Sequence, residues 1–328
     1  MKIAWRDRWG GPEVVELRDV DMPVPRGDQV LVKVHAASIN RADLDWLLPK
    51  LGWVARLFLG FRRPRRKTLG IDVAGVVEAV GPEATRFQPG DRVYGDLIMA
   101  GGMAAFAESA CAPERRLQLI PDGLPFDEAA TLPHSAALAV MSMKPYWGQT
   151  LQPGDSVMVV GASGNVGPFA VEIAKSRGLR VTGVCRTSKI DFVRSLGAED
   201  VIDYTTTDYT KSGPYDRIVD VDAHRSIFGY RKALKPGGVY ISMGGNGVWI
   251  LSFFAAALTF SLTRGGVHMG LMPGWRPFHP DDAAEIQRLV ETGVLKPRID
   301  RRYPLTEIVA ALRYVHEGRN EGKVVITV

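Results

Sequence analysis

The segment Val157-Met158-Val159-Val160-Gly161-Ala162-Ser163-Gly164-Asn165-Val166-Gly167 constrains this chain more than any other. The apolar run reads as a buried strand and the glycines as a tight turn. A helix follows, because Val166, Phe169, Ala170, Ile173 and Ala174 recur at helical spacing. Strand, glycine turn and helix N-terminus, in that order, make a cradle for phosphate. Glycine permits the turn and a close backbone approach. The helix end adds unsatisfied N–H groups and the positive end of its dipole. A glycine pattern alone is a weak signal, since glycine is common in turns, but here both flanks fit. Gly161, Ala162, Ser163, Gly164, Asn165, Val166 and Gly167 are therefore assigned to a dinucleotide pyrophosphate.

The next strand indicates which dinucleotide. It reads Arg180-Val181-Thr182-Gly183-Val184-Cys185. A site for NAD places Asp or Glu about 20 residues past the glycines, where it holds the ribose 2′-hydroxyl. This chain has Arg186-Thr187-Ser188-Lys189 instead. A carboxylate there would repel a 2′-phosphate, whereas Arg186, Lys189 and the hydroxyls of Thr187 and Ser188 would bind one. The alternative is a solvated basic helix start. Position at the strand end favours the phosphate, and the expected cofactor is NADP(H).

Bulk properties exclude several classes. A chain of 328 residues, 46% hydrophobic and 23% charged, is long enough for two domains with cores of their own. A net charge of +5 does not by itself argue for nucleic acid, and none is expected as partner. Two cysteines, Cys111 and Cys185, make no disulfide framework and suit a reducing cytoplasm. The early charges at Lys2, Arg6 and Asp7 do not fit a signal peptide. The most apolar run, 248–262, falls short of the roughly 20 residues of a membrane span and reads as a buried or pocket-lining helix. No membrane association is expected.

The first part of the chain is β-rich. Apolar or alternating runs at 14–17, 30–34, 73–80 and 92–94 are punctuated by Gly and Pro. An Ala-rich helical stretch begins near Asp127. Strands at 157–160, 181–185, 200–203, 217–221 and 239–243 then alternate with helices at 190–196 and 226–234. Lys235-Pro236-Gly237-Gly238 reads as the stop of the second helix. Such alternation means a doubly wound parallel sheet. A sixth strand at 267–272, helices at 281–291 and 305–316, and a last strand at 324–328 complete the pattern. The expected class is α/β: a β-rich domain over 1–124, a parallel-sheet cofactor domain over 125–275, and a return to the first domain over 276–328.

Several blocks carry a resemblance. They are Ala36-Ala37-Ser38-Ile39-Asn40-Arg41-Ala42-Asp43, Gly70-Ile71-Asp72-Val73-Ala74-Gly75, Phe87-Gln88-Pro89-Gly90-Asp91-Arg92-Val93, the glycine loop, Leu196-Gly197-Ala198 with Val201-Ile202-Asp203-Tyr204, and Gly322-Lys323-Val324-Val325-Ile326. Together the chain resembles the medium-chain dehydrogenase/reductase superfamily, in the zinc-free quinone oxidoreductase branch that includes proteins loosely called NAD(P)-dependent alcohol dehydrogenases. The resemblance implies a GroES-like first domain and a Rossmann second one. Zinc-using relatives have Cys where this chain has Asn40, and Gly-His-Glu where it has Gly70-Ile71-Asp72. His134 falls near the third ligand position, and one ligand cannot hold the metal. Without a Lewis acid a simple alcohol is hard to oxidise, while hydride addition to a polarised acceptor is easier. The expectation is reduction of a quinone or an α,β-unsaturated carbonyl. A zinc-free alcohol dehydrogenase or carbonyl reductase and a non-catalytic NADPH-binding protein are the alternatives.

The resemblance also places residues. Asn40 faces the nicotinamide or a substrate carbonyl, or else is a turn-forming Asn. Asp43 anchors the same loop, or else is a helix-start carboxylate. His134 is a proton source at its unperturbed pKa of about 6.5, or else a helix-start histidine with a local hydrogen bond. Tyr204 stands beside the 2′-phosphate, or else is a strand-end aromatic. Met243, Gly244 and Gly245 bring backbone to the nicotinamide. Asn320 and Lys323 reach the cofactor from the first domain, or else are solvated. Trp46, Trp53 and Leu138 line the substrate pocket. The Leu-Thr-Ala of many relatives is Ala137-Leu138-Ala139 here, and no Tyr lies between Asp43 and Lys67. The basic run Arg62-Arg63-Pro64-Arg65-Arg66-Lys67 reads as a solvated loop, with a lid over an acidic ligand as the alternative and no interleaved aromatics. The 267–272 strand, read as an apolar sheet edge, implies a homodimer.

Overall fold

The computed structural model describes residues 1–48, 59–98, 104–225, 227–244, 266–271 and 278–328. The chain divides into two units. One comprises Met1–Ala137, Arg276–Glu291 and Pro297–Val328, and the other Leu138–Trp275 and Thr292–Lys296.

In the first unit, β1 (Lys2–Trp5) pairs antiparallel with β2 (Glu16–Asp19). The strands β3 (Gln29–Ile39), β4 (Asp72–Val80), β5 (Arg92–Asp96), β6 (Ser109–Pro113) and β7 (Leu117–Leu119) follow, with the short helix α1 (Arg41–Leu47) after β3. β3 is the spine: it pairs with β4 on one side, with β6 over Gln29–Lys33, and with a strand from the far end of the chain. Its burial alternates only at Lys33 and His35, because most of its length is covered on both faces. Helices α2 (Phe126–Ala129) and α3 (Pro133–Ser142) come next. Residues 125–137 go with this unit rather than with the parallel sheet. The reason is packing: Phe126 stacks on His35 with centroids 4.4 Å apart, and Arg302 binds the Asp127 carboxylate.

In the second unit, β8 (Ser156–Val160), helix α4 (Gly167–Ser176), β9 (Arg180–Cys185), helix α5 (Ile190–Ser195), β10 (Asp200–Asp203), β11 (Tyr215–Asp220), helix α6 (Ile227–Lys232), β12 (Leu234–Ser242) and β13 (His268–Leu271) alternate. The strands are all parallel, in the order β10-β9-β8-β11-β12-β13. Every residue of β8 is buried, as its unbroken apolar run requires of a central strand. From β8 the chain runs one way to β9 and β10 and the other way to β11, so the switch point lies between β8 and β11. One expectation needs correcting. Lys235-Pro236-Gly237-Gly238 lies inside β12, at a shift in register with β11, and α6 already ends at Lys232. The 248–262 run lies outside the described residues.

The tail adds α7 (Pro280–Glu291), β14 (Ile299–Pro304), α8 (Ile308–His316) and β15 (Lys323–Thr327) to the first unit. β15 pairs antiparallel with β3, Val324 opposite Ile39. That register sets Lys323 beside the end of β3, next to Asn40. Among the described residues no helix is long and apolar enough to cross a membrane.

Candidate active site

The glycine loop follows β8 at the switch point, where open parallel sheets bind ligands. Gly161 has φ of 80°, a conformation that favours glycine. Gly167 is required for a different reason. A Cβ there would lie 2.2 Å from the Gly161 carbonyl oxygen and 2.5 Å from the Ala162 Cα. Helix and turn can pack this closely only around glycine. Beside Gly164 a Cβ would meet only the Gly161 oxygen, at 3.4 Å, so the loop keeps open space there. Pro168 lacks an N–H, so the first turn of α4 offers one donor fewer than a usual phosphate-binding helix. Ser163 and Val166 are buried, and Asn165 and Gly164 are partly exposed. These residues fit a dinucleotide. Met243 and Gly244 leave β12 at the same edge of the sheet, where the Met243 N–H donates to the Asp220 carbonyl. Gly245 lies outside the described residues.

At the end of β9, Arg186 is partly exposed, Thr187 and Ser188 are exposed, and Lys189 is buried at 6% exposure. The expected pair of outward cations is thus one outward guanidinium and one buried ammonium. Thr187 is also not a free hydroxyl. Its Oγ1 donates to Asp203 Oδ2 and lies 3.1 Å from Thr205 Oγ1. Tyr204 is exposed, its N–H bound to the Cys185 carbonyl.

The first unit holds a cluster of buried polar groups. Asn40 caps α1, and its carboxamide is only 1% exposed. Its Nδ2 donates to Asp72 Oδ2 at 2.8 Å, and its Oδ1 accepts from Lys323 Nζ at 2.7 Å and Ser135 Oγ at 3.0 Å. The Asp72 carboxylate, fully buried at the start of β4, accepts also from Ser38 Oγ (2.8 Å), the His134 N–H (2.9 Å) and Lys323 Nζ (3.2 Å). Lys323 further donates to Ser135 Oγ at 3.1 Å. Burial pulls its pKa down, and Asp72 opposes that shift. His134 sits in the first turn of α3 with Nδ1 2.9 Å from Asp96 Oδ2. Burial alone would lower its pKa, but the charge and hydrogen bond of Asp96 outweigh it and the pKa is raised. Asp96 is itself pushed up by burial and accepts from the Ile98 N–H at 2.7 Å. Asp43 accepts from the Asn40 N–H at 2.8 Å, so it is both a helix-start carboxylate and an anchor of the Asn40 turn. Its Oδ1 is buried without a partner among the described residues. Burial raises its pKa to about 7, with the Asp72 charge adding to that.

Several expectations change here. Lys323 and Asn320 are not solvated: they are 1% and 5% exposed, and Asn320 Nδ2 donates to the Gly322 carbonyl. The hydrogen bond of the His134 ring is not local, since Asp96 comes from a different strand. Arg66 and Lys67 are only partly exposed, because Arg66 lies over the Trp46 ring and Lys67 over that of Trp5. Aromatics from elsewhere in the chain are thus set against the basic run. Trp46 packs against Ile71 and Ile98. Leu138 is buried, and Trp53 lies outside the described residues.

Comparison with known proteins fits this architecture. Residues 26–122 match the alcohol dehydrogenase GroES-like domain, and residues 196–326 the family described as zinc-binding dehydrogenase. The quinone oxidoreductase of Homo sapiens is 30% identical over 331 residues, covering 97% of this chain and 95% of that protein. The chain belongs to the medium-chain dehydrogenase/reductase superfamily. Within it, the chain falls in the quinone oxidoreductase-like branch. A trans-enoyl reductase of Aspergillus terreus is 29% identical over 337 residues, covering 93% of this chain and 90% of that one. The solved quinone oxidoreductase of Coxiella burnetii matches with a TM-score of 0.86 at 26% identity, covering 100% of this chain and 99% of that one. These comparisons support a nicotinamide cofactor.

Sequence reading named four members of the cluster, Asn40, Asp43, His134 and Lys323, and missed Ser38, Asp72, Asp96 and Ser135 as functional residues. A usable signal was present. Asp72 and Asp96 are carboxylates set in apolar strand sequence, Gly70-Ile71-Asp72-Val73-Ala74 and Tyr94-Gly95-Asp96-Leu97-Ile98. Buried charges of this kind require partners.

Proposed function

We propose that this medium-chain dehydrogenase/reductase is a metal-free, NADPH-dependent reductase of quinones or α,β-unsaturated carbonyls. The observation that carries the reading is the Lys323 ammonium. It stands among Asn40, Asp72 and Ser135, and Asn40 itself holds the position where zinc-using relatives keep a Cys ligand. A fixed cation there can neutralise Asp72 and orient neighbours, but it has no open coordination site to acidify an alcohol. Among the described residues no group of three or more His, Cys, Asp or Glu is arranged to hold a metal ion. Reduction of an acceptor that is already polarised asks less of the protein.

When bound, the nicotinamide supplies hydride. The chain does the rest. The backbone of the glycine loop holds the pyrophosphate, and Arg186 and Ser188 meet the 2′-phosphate. His134, whose pKa Asp96 raises, gives a proton to the oxygen on which charge develops. Asn40 is a positioning residue here: Asp72, Ser135 and Lys323 fix its amide, and through Asn40 the turn into α1. The names of the human and Aspergillus relatives support the substrate class.

NADPH oxidation across a panel of quinones and enones tests the reading. Turnover should survive exhaustive chelation. Cofactor binding with no turnover on any acceptor would favour the non-catalytic alternative. One zinc per chain, with activity lost on its removal, would overturn metal independence.

The assembly is proposed to be a homodimer. β13 ends the parallel sheet, and Trp147 covers one of its faces. The Trp147 ring stacks on His268 with centroids 5.8 Å apart and fills the space where a Gly270 side chain would go. An edge strand covered on one face still has backbone along its edge to pair, and a second copy can pair with it across a two-fold axis. Light scattering at micromolar concentration should give twice the chain mass, and a monomer would count against this route.

A further inference from the structure

We infer that Asp203 is a specificity-determining residue of the cofactor site: its fixed negative charge weakens 2′-phosphate binding and lets the chain accept NADH beside NADPH. The inference rests on the reading of residues 186–189 as the 2′ site. β10 lies beside β9 with Asp203 opposite Cys185, and the Asp203 carboxylate meets Thr187, the residue that follows Arg186. It is anchored there by three donors. Thr187 Oγ1 donates to Oδ2, while the Thr205 N–H (2.9 Å) and Thr205 Oγ1 (2.7 Å) donate to Oδ1.

Three consequences follow. The Thr187 proton points at Asp203, so this hydroxyl is not offered to a phosphate. The hydrogen bonds from Thr187 and Thr205 also hold the Asp203 pKa below the usual carboxylate range, so the charge is permanent near neutral pH. Finally, the carboxylate is an acceptor-only group, and the Thr187 and Thr205 donors around it leave its charge in place. Such a group suits a ribose 2′-hydroxyl, which brings a proton, and opposes a phosphate, which brings only negative charge. With Lys189 buried, the outward charges at this strand end are one guanidinium and one carboxylate. The result is a site with attraction and repulsion in near balance rather than a purely cationic one.

Fluorescence titration of the full chain with NADPH and with NADH tests this without any turnover. Asp203→Asn should tighten NADPH about three- to tenfold, the size of one like-charge contact across water, and leave NADH unchanged or weaker. In 1 M salt, where the screening length is about 3 Å, the gain should shrink. Asp203→Ser keeps an acceptor for the Thr205 N–H and removes the charge, so it should act in the same direction. An unchanged NADPH-to-NADH affinity ratio in both variants, or equal weakening of both cofactors, overturns the assignment. Arg186→Glu tests the parent reading separately. If its ratio moves toward NADH while Asp203→Asn and Asp203→Ser do not move theirs, only Asp203 is misassigned. If Arg186→Glu also leaves the ratio alone, the 2′ site lies elsewhere and the inference falls with it.

Discussion

Lys323→Met should destabilise the first unit by about 3–5 kcal/mol, the cost of breaking a buried ion pair by deleting one partner. The side chain is 1% exposed and Asp72 is fully buried, so water cannot replace the lost contact. The remaining donors to Asp72 are the Ser38 hydroxyl, the Asn40 amide and the His134 N–H, all neutral. They soften the loss but leave a carboxylate without a counter-charge. Asn40 Oδ1 loses its shortest partner at the same time. Asp72→Asn should cost less than Lys323→Met, because a buried ammonium can shed its proton and its pKa is already pulled down by burial. The double variant should be milder than the sum of the two, with about 0.5–3 kcal/mol of coupling, since it removes both charges together. Urea midpoints followed by the fluorescence of Trp5, Trp9 and Trp46 would report this. A Lys323→Met midpoint matching the wild type would mean that the ammonium does not sit among these groups.

What the sequence made legible follows from how far each signal reaches. The glycine loop and the parallel strands were readable because their signals are local: apolar runs of strand length, punctuated by Gly and Pro. Strands β8 to β11 all fall within two residues of their expected limits at either end. The start of β12 was not readable, because Pro236 and Gly237 imitate a turn while β11 still pairs across them. β1, β6, β7 and β14 were missed as well. They are short or charged, and pairing with distant strands rather than local pattern makes them strands. The same limit governs the site. Lys323 and Asn40 are 283 residues apart, and His134 and Asp96 are 38 apart. Their meeting depends on β15 pairing with β3 and on α3 starting beside β4, neither of which a single chain announces. Residue type was therefore visible where company was not. Asn40 was read as a group facing a ligand or as a turn-forming Asn, and the structure adds the three neighbours that hold it.

Removal of the His134 imidazole should lower kcat on an accepted enone about a hundredfold or more, the range in which positioned proton donors act. NADPH affinity should stay within a few-fold, because the imidazole is tied to Asp96. The pH dependence has a fixed sign. A donor works while protonated, so kcat should be flat at low pH and fall as pH rises through the raised His134 pKa. Stability moves the same way. With a folded pKa above the unfolded value of 6.5, the His134–Asp96 pair stabilises fully below 6.5, and that stabilisation is lost as pH rises through the folded pKa. Asp96→Asn deletes the charge that raises the pKa and leaves burial, which lowers it. The falling limb of kcat should then move to lower pH, a shift that a merely structural defect would not produce. Asn40→Ala should cost at least about tenfold in kcat, through loss of an oriented turn rather than of a direct contact, and should leave the position of the limb unchanged. Wild-type turnover in both His134→Ala and Asn40→Ala would put the chemistry elsewhere in the chain and leave the buried cluster a purely structural brace between β3, β4, α3 and β15.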